Sequence, residues 1–563
     1  MLSSSKVFAT ASFILLFFCT NVATPQNITG SVTGSVIDSS GAAVPGATLK
    51  LTNTGTGIVQ TSEADAAGNF RFLLLQPGNY SVEATRSGFK TFRRDGILVE
   101  ADRSLAVPVT LSVGQVSETV EVVAGTPLLE PNTSEIGTTV DSQKIVELPL
   151  NARNPMGLAN LVPTVKGVGY FGQQVLTSWR VGAVNIGGGQ PMTSGFLMDG
   201  VPNDKLGDAA GANTFLTTDS TQEFKVITNS MSAEYGRTTG GVISVVSKSG
   251  SNDLHGTLFE YLQNTAFNAN DFFANSAGTP LAPVHQHQFG GALGGRIKRD
   301  KLFFFGNFEG FVQHLSATET INSPTALQRT GDFSKTLASN GQQITIYDPF
   351  TTVANPNVPG QSIRTAFPGN VIPANRISTF AKAFFGLYPL PNLAGQPVTG
   401  ASNLFLIGNI PTDRQTGGVK VDYAINSSQR VSLRFTNDYL NESVPNGSFF
   451  QNVLDNDKKV IYVPRHSVAL SYTDSLSPTL LLDARSGFNR DYDQSTPWSY
   501  AGDYADKGFP LTTMGFSQSL VNQLQPGSIQ FPNMTVADFG GILGGYGSAL
   551  QNRASYTWAT SRH

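Results

Sequence analysis

The chain of 563 residues contains a single cysteine, Cys19, and charged side chains make up only 14% of it. One cysteine excludes an intrachain disulfide framework. So few charges, against roughly 25% in ordinary soluble domains, set the chain apart from typical soluble domains. The net charge of −3 gives no argument for a nucleic-acid partner. Long apolar runs are missing too. The run Val7 to Phe18 falls short of the roughly 20 residues that a helix needs to cross a bilayer. If the chain enters a membrane, it must do so as strands. Catalytic signatures are also lacking. There is no H-E-x-x-H, no G-x-S-x-G, no glycine loop ending in Gly-Lys and no HxxE around any of the six histidines. No enzyme activity, metal or cofactor is expected. His285 and His287 of "HQH" read as solvated residues of a polar loop rather than as metal ligands.

What is abundant is glycine, with 58 residues, and phenylalanine, with 37. Together with many Asn, Ser and Thr, this composition predicts a mainly β protein of many strands joined by polar loops. Residues 1–24 read as a Sec-type signal peptide: Lys6, the apolar run, then "CTNVATPQ" with cleavage near Ala23 or Thr24. Phe18 stands where a lipoprotein signal needs a small residue, so Cys19 is expected to leave with the signal.

Residues 28–112 alternate with the period of strands. Ala47, Leu49 and Leu51 share one face, as do Phe70 and Phe72, and Tyr80, Val82 and Ala84; "QPGN" at 76–79 is a turn. Leu105, Val107, Val109 and Leu111 make a last strand of this small β-sandwich. "GSVIDSSGAAVPGATLKLTNTGTG" and "DAAGNFRFLLLQPGNYSVEATRSGF" resemble the carboxypeptidase regulatory-like domain. That resemblance implies a transthyretin-like, or carbohydrate-binding-like, fold without catalysis.

Residues 116–131 alternate as far as Gly125 and then meet Pro127 and Pro131. Proline does not fit inside a sheet, so the segment is expected to be extended and detached from the sandwich. A final sandwich strand or a plain linker is the competing reading. Residues 135–253 read as a compact α+β unit. Asn154 caps a helix with Pro155 at its first position, and Leu158, Leu161 and Val162 share its face. "FLMDGVPND" is a strand entering an Asp199-Gly200 turn, and Ser220 with Glu223 has capping-box spacing. An apolar strand at 242–246 lies behind the glycine pair Gly240-Gly241, where backbone can approach backbone closely.

From 254 onward, alternating segments suit strands of ~9–11 residues. Val431, Leu433 and Phe435 oppose Arg430, Ser432, Arg434 and Thr436, and Val468, Leu470 and Tyr472 oppose Ser467, Ala469, Ser471 and Thr473. A barrel with a wet lumen and an apolar exterior gives this pattern, and so would a soluble sandwich. Residues 314–410 read as a long loop rich in Pro, Asn, Gly and Thr, of a length unusual inside a compact domain.

In order, these segments resemble TonB-dependent outer-membrane receptors, specifically the Oar-like subgroup. The likeness is carried by "VITNSMSAEYGRTTGGVISVVSKSG", "LPLNARNPMGLANLVPTV", "QHQFGGALGGRIKRDKLFFFGNFEGF" with its turn at Lys298–Lys301, "PTALQRTGDFS" and "FPGNVIPANRI". The resemblance implies an α+β plug at 135–253 and part of an antiparallel transmembrane β-barrel at 254–563. It implies residence in the outer membrane of a Gram-negative cell, in contact with its lipid. It makes Ser117, Glu118, Thr119, Val120, Glu121, Val122, Val123 and Ala124 the candidate TonB box, the segment that a TonB-type periplasmic energy-coupling protein grips by strand addition. The ligand, whether carbohydrate, siderophore-like or other, is unread. The rival class is a surface carbohydrate- or protein-binding protein. Such receptors have roughly 22 strands, whereas 254–490 holds about seven and 491–563 shows no sustained alternation. A C-terminally truncated chain is therefore expected.

Overall fold

The computed structural model describes residues 29–115, 119–122, 135–150, 153–167, 184–190, 193–205, 211–214, 216–231, 235–236, 238–276, 280–281, 283–444, 459–477, 480–497, 509–524 and 551–562. The expected signal peptide lies outside them. The architecture is mostly β, in three parts that follow the chain.

The first part is a sandwich. One sheet centres on β1 (Gly30–Asp38), which pairs antiparallel with β4 (Asn69–Leu75) and parallel with the short β7 (Ser104–Ala106) and β8 (Val109–Leu111). The facing sheet runs β3 (Val59–Glu63), β2 (Thr48–Asn53), β5 (Gly78–Thr85), β6 (Thr91–Val99), β9 (Thr119–Val122). Alternation dictates the core: Leu49, Leu51, Phe70, Phe72, Tyr80 and Val82 all point between the sheets and are buried. The Tyr80 hydroxyl escapes the cost of burial by donating to the Gln76 carbonyl at 2.8 Å. The expected last strand is split in two around Pro108, though Leu105, Val107, Val109 and Leu111 are all buried as anticipated. It is also not last. Thr119–Val122 adds to β6 in parallel, Thr91 opposite Thr119 and Arg94 opposite Val122. The expectation of a segment detached from the sandwich is thus corrected: Thr119–Val122, with three β-branched residues of four, finds the edge of β6 and pairs its backbone there.

The second part is the α+β unit. Its sheet runs β10 (Ile136–Val140), β15 (Thr221–Asn229), β16 (Val242–Ser247), β13 (Gly195–Met198), β14 (Val201–Pro202), with β11 (Val165–Gly167) and β12 (Val184–Ile186) as a separate pair. Every residue of β16 is buried, as expected of a central strand. A Cβ on Gly241 would lie 2.3 Å from the Ile227 carbonyl oxygen and 2.4 Å from Ile186 Cγ2. The glycine is therefore required by the approach of β15 and β12. Asp199 and Gly200 both take positive φ, 51° and 74°, and turn β13 into β14. The Asn154 side chain caps Met156 N as expected, but the helix over Pro155–Leu161 is 3-10, and Leu161 faces solvent. The spacing at Ser220 and Glu223 caps nothing: Thr221–Asn229 is a strand, and the Ser220 hydroxyl turns back onto Thr217. The β-branched run of this segment and its pairing on both sides outweigh the local capping signal.

The third part is a meander of eight antiparallel strands, each pairing with the next: β17 (His255–Asn264), β18 (Val284–Lys298), β19 (Leu302–Ile321), β22 (Leu404–Ala424), β23 (Gln429–Val444), β24 (Lys459–Ser477), β25 (Leu480–Pro497) and β26 (Gln551–Arg562). The sheet is open, with β17 and β26 as its outer strands. Strand β26 corrects the expectation that nothing sustained follows 491. "HQH" is likewise not in a loop but on β18, where His287 Nδ1 lies 3.2 Å from Glu260. The turn at Lys298–Lys301 is as expected. The long connection between β19 and β22 holds the small hairpin β20 (Val353–Ala354) and β21 (Ser362–Ile363) and a helix, Thr379–Gly386. Phe384 and Tyr388 of this connection form a satellite core with Phe509, Leu511 and Met514, which follow β25.

Candidate functional site: the coupling strand and the seat of the α+β unit

The meander has two chemically distinct faces. On β23, Arg434 is 3% exposed, and Thr436 and Asp438 are buried beside it, while the alternating Leu433 and Phe435 are 47% and 40% exposed. Val419, Tyr423 and Leu470 on the neighbouring strands are exposed on the apolar side. The polar face is turned toward the α+β unit, which seats on it through three ionic contacts.

The first is made by Asp199 at the β13–β14 turn. Its carboxylate lies 2.7 Å from Arg434 Nε and 3.5 Å from Lys420 Nζ. It also accepts from Ser247 N at 2.9 Å and Ser247 Oγ at 2.6 Å. Burial alone would push this carboxyl up. The Lys420 and Arg434 cations, with the two Ser247 donors, reverse that and hold it at about 2. The second is a chain of alternating charges. Arg414 binds Asp438 with two bonds of 2.7 and 2.6 Å. Arg465 bridges Asp438 at 3.4 Å and Asp491 at 3.0 Å, and Lys205 of the α+β unit closes the chain on Asp491 at 3.5 Å. The third is Arg153, whose Nε lies 3.9 Å from Glu309 Oε2 of β19 and whose guanidinium sits 4.0 Å over the Phe259 ring of β17. Where the sandwich, the α+β unit and the meander meet, a cavity of about 270 Å³ is lined by Asn53, Gln76, Asp199, Lys420, Arg430 and Arg485, among others.

The sandwich is fastened to the α+β unit by the loop between β6 and β7. Ala101 N donates to Glu223 Oε1. Lys225 Nζ reaches Asp102 Oδ2 at 2.6 Å and Glu135 Oε2 at 3.2 Å, and the Tyr235 hydroxyl donates to Asp102 at 3.1 Å. Burial raises Glu223 to about 7 against only partial compensation from the Ala101 amide. It also raises Asp102 to about 6 despite the neighbouring Lys225 cation.

Of the candidate coupling residues, Thr119, Val120, Glu121 and Val122 form β9. Ser117, Glu118, Val123 and Ala124 lie outside the described residues. The ionic seat was not foreseen. Alternation in 430–436 had placed Arg434 on the polar face, but its partner Asp199 was read only as a turn residue, because no local pattern joins positions so far apart in sequence.

Two family models match the first and the third part of the chain. The carboxypeptidase regulatory-like domain matches residues 31–112. The outer membrane beta barrel domain matches residues 246–562, more than half of the chain, and the chain belongs to that family. It is similar to the TonB-dependent transporter Oar of Myxococcus xanthus, with 29% identity over 307 residues. That match covers 52% of this chain and 28% of the relative, less than a third of the relative's length. Among solved structures, the outer membrane transporter YddB from Escherichia coli aligns with 66% of this chain and 42% of its own, at 10% identity and TM-score 0.39. The siderophore receptor PirA from Acinetobacter baumannii aligns with 65% and 41%, at 14% identity and TM-score 0.36.

Proposed function

We propose that the chain serves an Oar-like, TonB-dependent outer-membrane transporter that takes up a ligand whose identity is open. In this reading the α+β unit is the plug, the meander is barrel wall, and Ser117–Ala124 is the segment by which a TonB-type periplasmic protein draws on the plug. One observation carries it. A compact unit is held by buried ion pairs, Asp199 to Arg434 and Lys420 above all, against the polar face of a sheet whose opposite face is apolar. Once the unit is displaced and water enters, each separated charge recovers its hydration, which offsets part of the loss of the pair.

Two measurements test the proposal. The chain should sediment with outer membranes and require detergent for extraction. Pull-down by the periplasmic domain of a TonB-type protein should be lost on Val120→Pro, since proline removes a backbone donor from the strand that the partner extends. Capture of the proline variant at undiminished yield refutes the assignment of the coupling segment.

A further inference from the structure

We propose that the sandwich is a holder for the coupling strand, withholding it until the periplasmic partner strips it from β6. This deepens the transporter reading and rests on it. Thr119–Val122 is the outer strand of a five-stranded sheet, in register with Thr91–Arg94. A strand stored in this way differs from a loose peptide: its hydrogen-bonding edge toward β6 is already occupied, and the partner competes for it.

The geometry favours release over simple addition to the free edge. The stored pairing spans four residues and is parallel, the less stable arrangement per residue. A partner that takes the whole of Ser117–Ala124 pairs with twice as many residues. A strand still attached to β6 would also pass its load to the wrong body. The β6–β7 loop is fastened to β15 by Ala101–Glu223 and Asp102–Lys225, so a pull on an unreleased β9 tugs a sandwich already braced on the α+β unit. Once β9 is released, the load runs along 123–134 to Glu135, which is paired with the same Lys225, and into β10, the edge strand of the α+β sheet. The first contact loaded is then the one that ties the edge strand to both the sandwich and β15.

The test uses the absence of cysteine after Cys19. In Arg93→Cys/Glu121→Cys, two directly paired positions, of which Arg93 is on the exposed face, oxidation should join β6 to β9. The detergent-solubilised chain is then titrated with the purified periplasmic domain of a TonB-type protein. The oxidised chain should bind at least tenfold more weakly than the same chain after reduction. Hydrogen exchange supplies the second reading: on complex formation those amides of 91–94 that point to β9 rather than to β5 should lose protection, while 119–122 remain protected. Equal binding by both redox forms, failure of the disulfide to form, or continued protection in the complex of the 91–94 amides that point to β9 each overturns the holder. Binding by neither form, with the disulfide made, overturns the coupling reading itself and the holder with it.

Discussion

The Asp199 carboxylate stands between two buried cations, and its state is decided by them. Replacing it with asparagine leaves Arg434 and Lys420 without their shared counter-charge, a change that costs on the order of 3–5 kcal/mol at a buried pair. Asp199→Asn should therefore lower the unfolding midpoint of the detergent-solubilised chain in urea and expose the α+β unit to limited proteolysis. Its pH dependence has a definite sign. A carboxyl held at about 2 in the fold, below its unfolded value near 4, contributes stability that is complete above that unfolded value. The contribution is lost as pH falls from about 4 through 2. The wild type should show this acid limb and Asp199→Asn should not. Glu223 behaves oppositely. Raised to about 7 by burial, it binds a proton more readily in the folded state. Stability is then fullest below its unfolded value near 4.5 and falls as pH rises toward 7. Asp102, raised to about 6, adds to the same trend. Glu223→Gln keeps an acceptor for the Ala101 amide and removes the titration. The variant's thermal midpoint should change less between pH 5 and 7.5 than that of the wild type.

At the scale of elements, Gly241 fixes how closely β15 and β12 approach β16. A Cβ there would meet the Ile227 carbonyl oxygen at 2.3 Å, and backbone cannot step aside as a side chain can. Gly241→Val should cost about 1–3 kcal/mol by overpacking, read as a lower urea midpoint with an unchanged slope. Some elements were legible because a single periodicity decided them: β2, β4 and β5 from their alternation, β16 from its apolar run, the β13–β14 turn from Asp-Gly. Others were misread where local and non-local signals compete. The capping spacing at Ser220 and Glu223 gave way to a strand paired on both sides, with Glu223 drawn to a backbone amide 122 residues away. Thr119–Val122 was correctly read as extended, but its neighbour could not be named, because parallel pairing leaves no turn in the sequence to announce it.

For the whole molecule, the two-faced meander makes a direct prediction. Phe435 lies on the apolar face and Arg434 on the polar one. An arginine on the lipid face of a barrel costs roughly 2–4 kcal/mol near the bilayer midplane. Phe435→Arg should therefore reduce recovery of the chain in outer membranes and its stability in lipid vesicles, whereas Thr436→Ser, on the polar face, should leave both near wild type.

The sequence by itself determined the mainly β character, the order of three parts and, in the strands with clear alternation, which face is polar, since alternation with a period of two is a local property that the pleat imposes. Only the tertiary structure decided that Asp199 meets Arg434, that Lys205 completes a chain of charges begun at Arg414, and that Thr119–Val122 rests on β6. Those contacts join positions brought together by the fold, and charge or edge complementarity at a distance leaves no periodic trace along the chain.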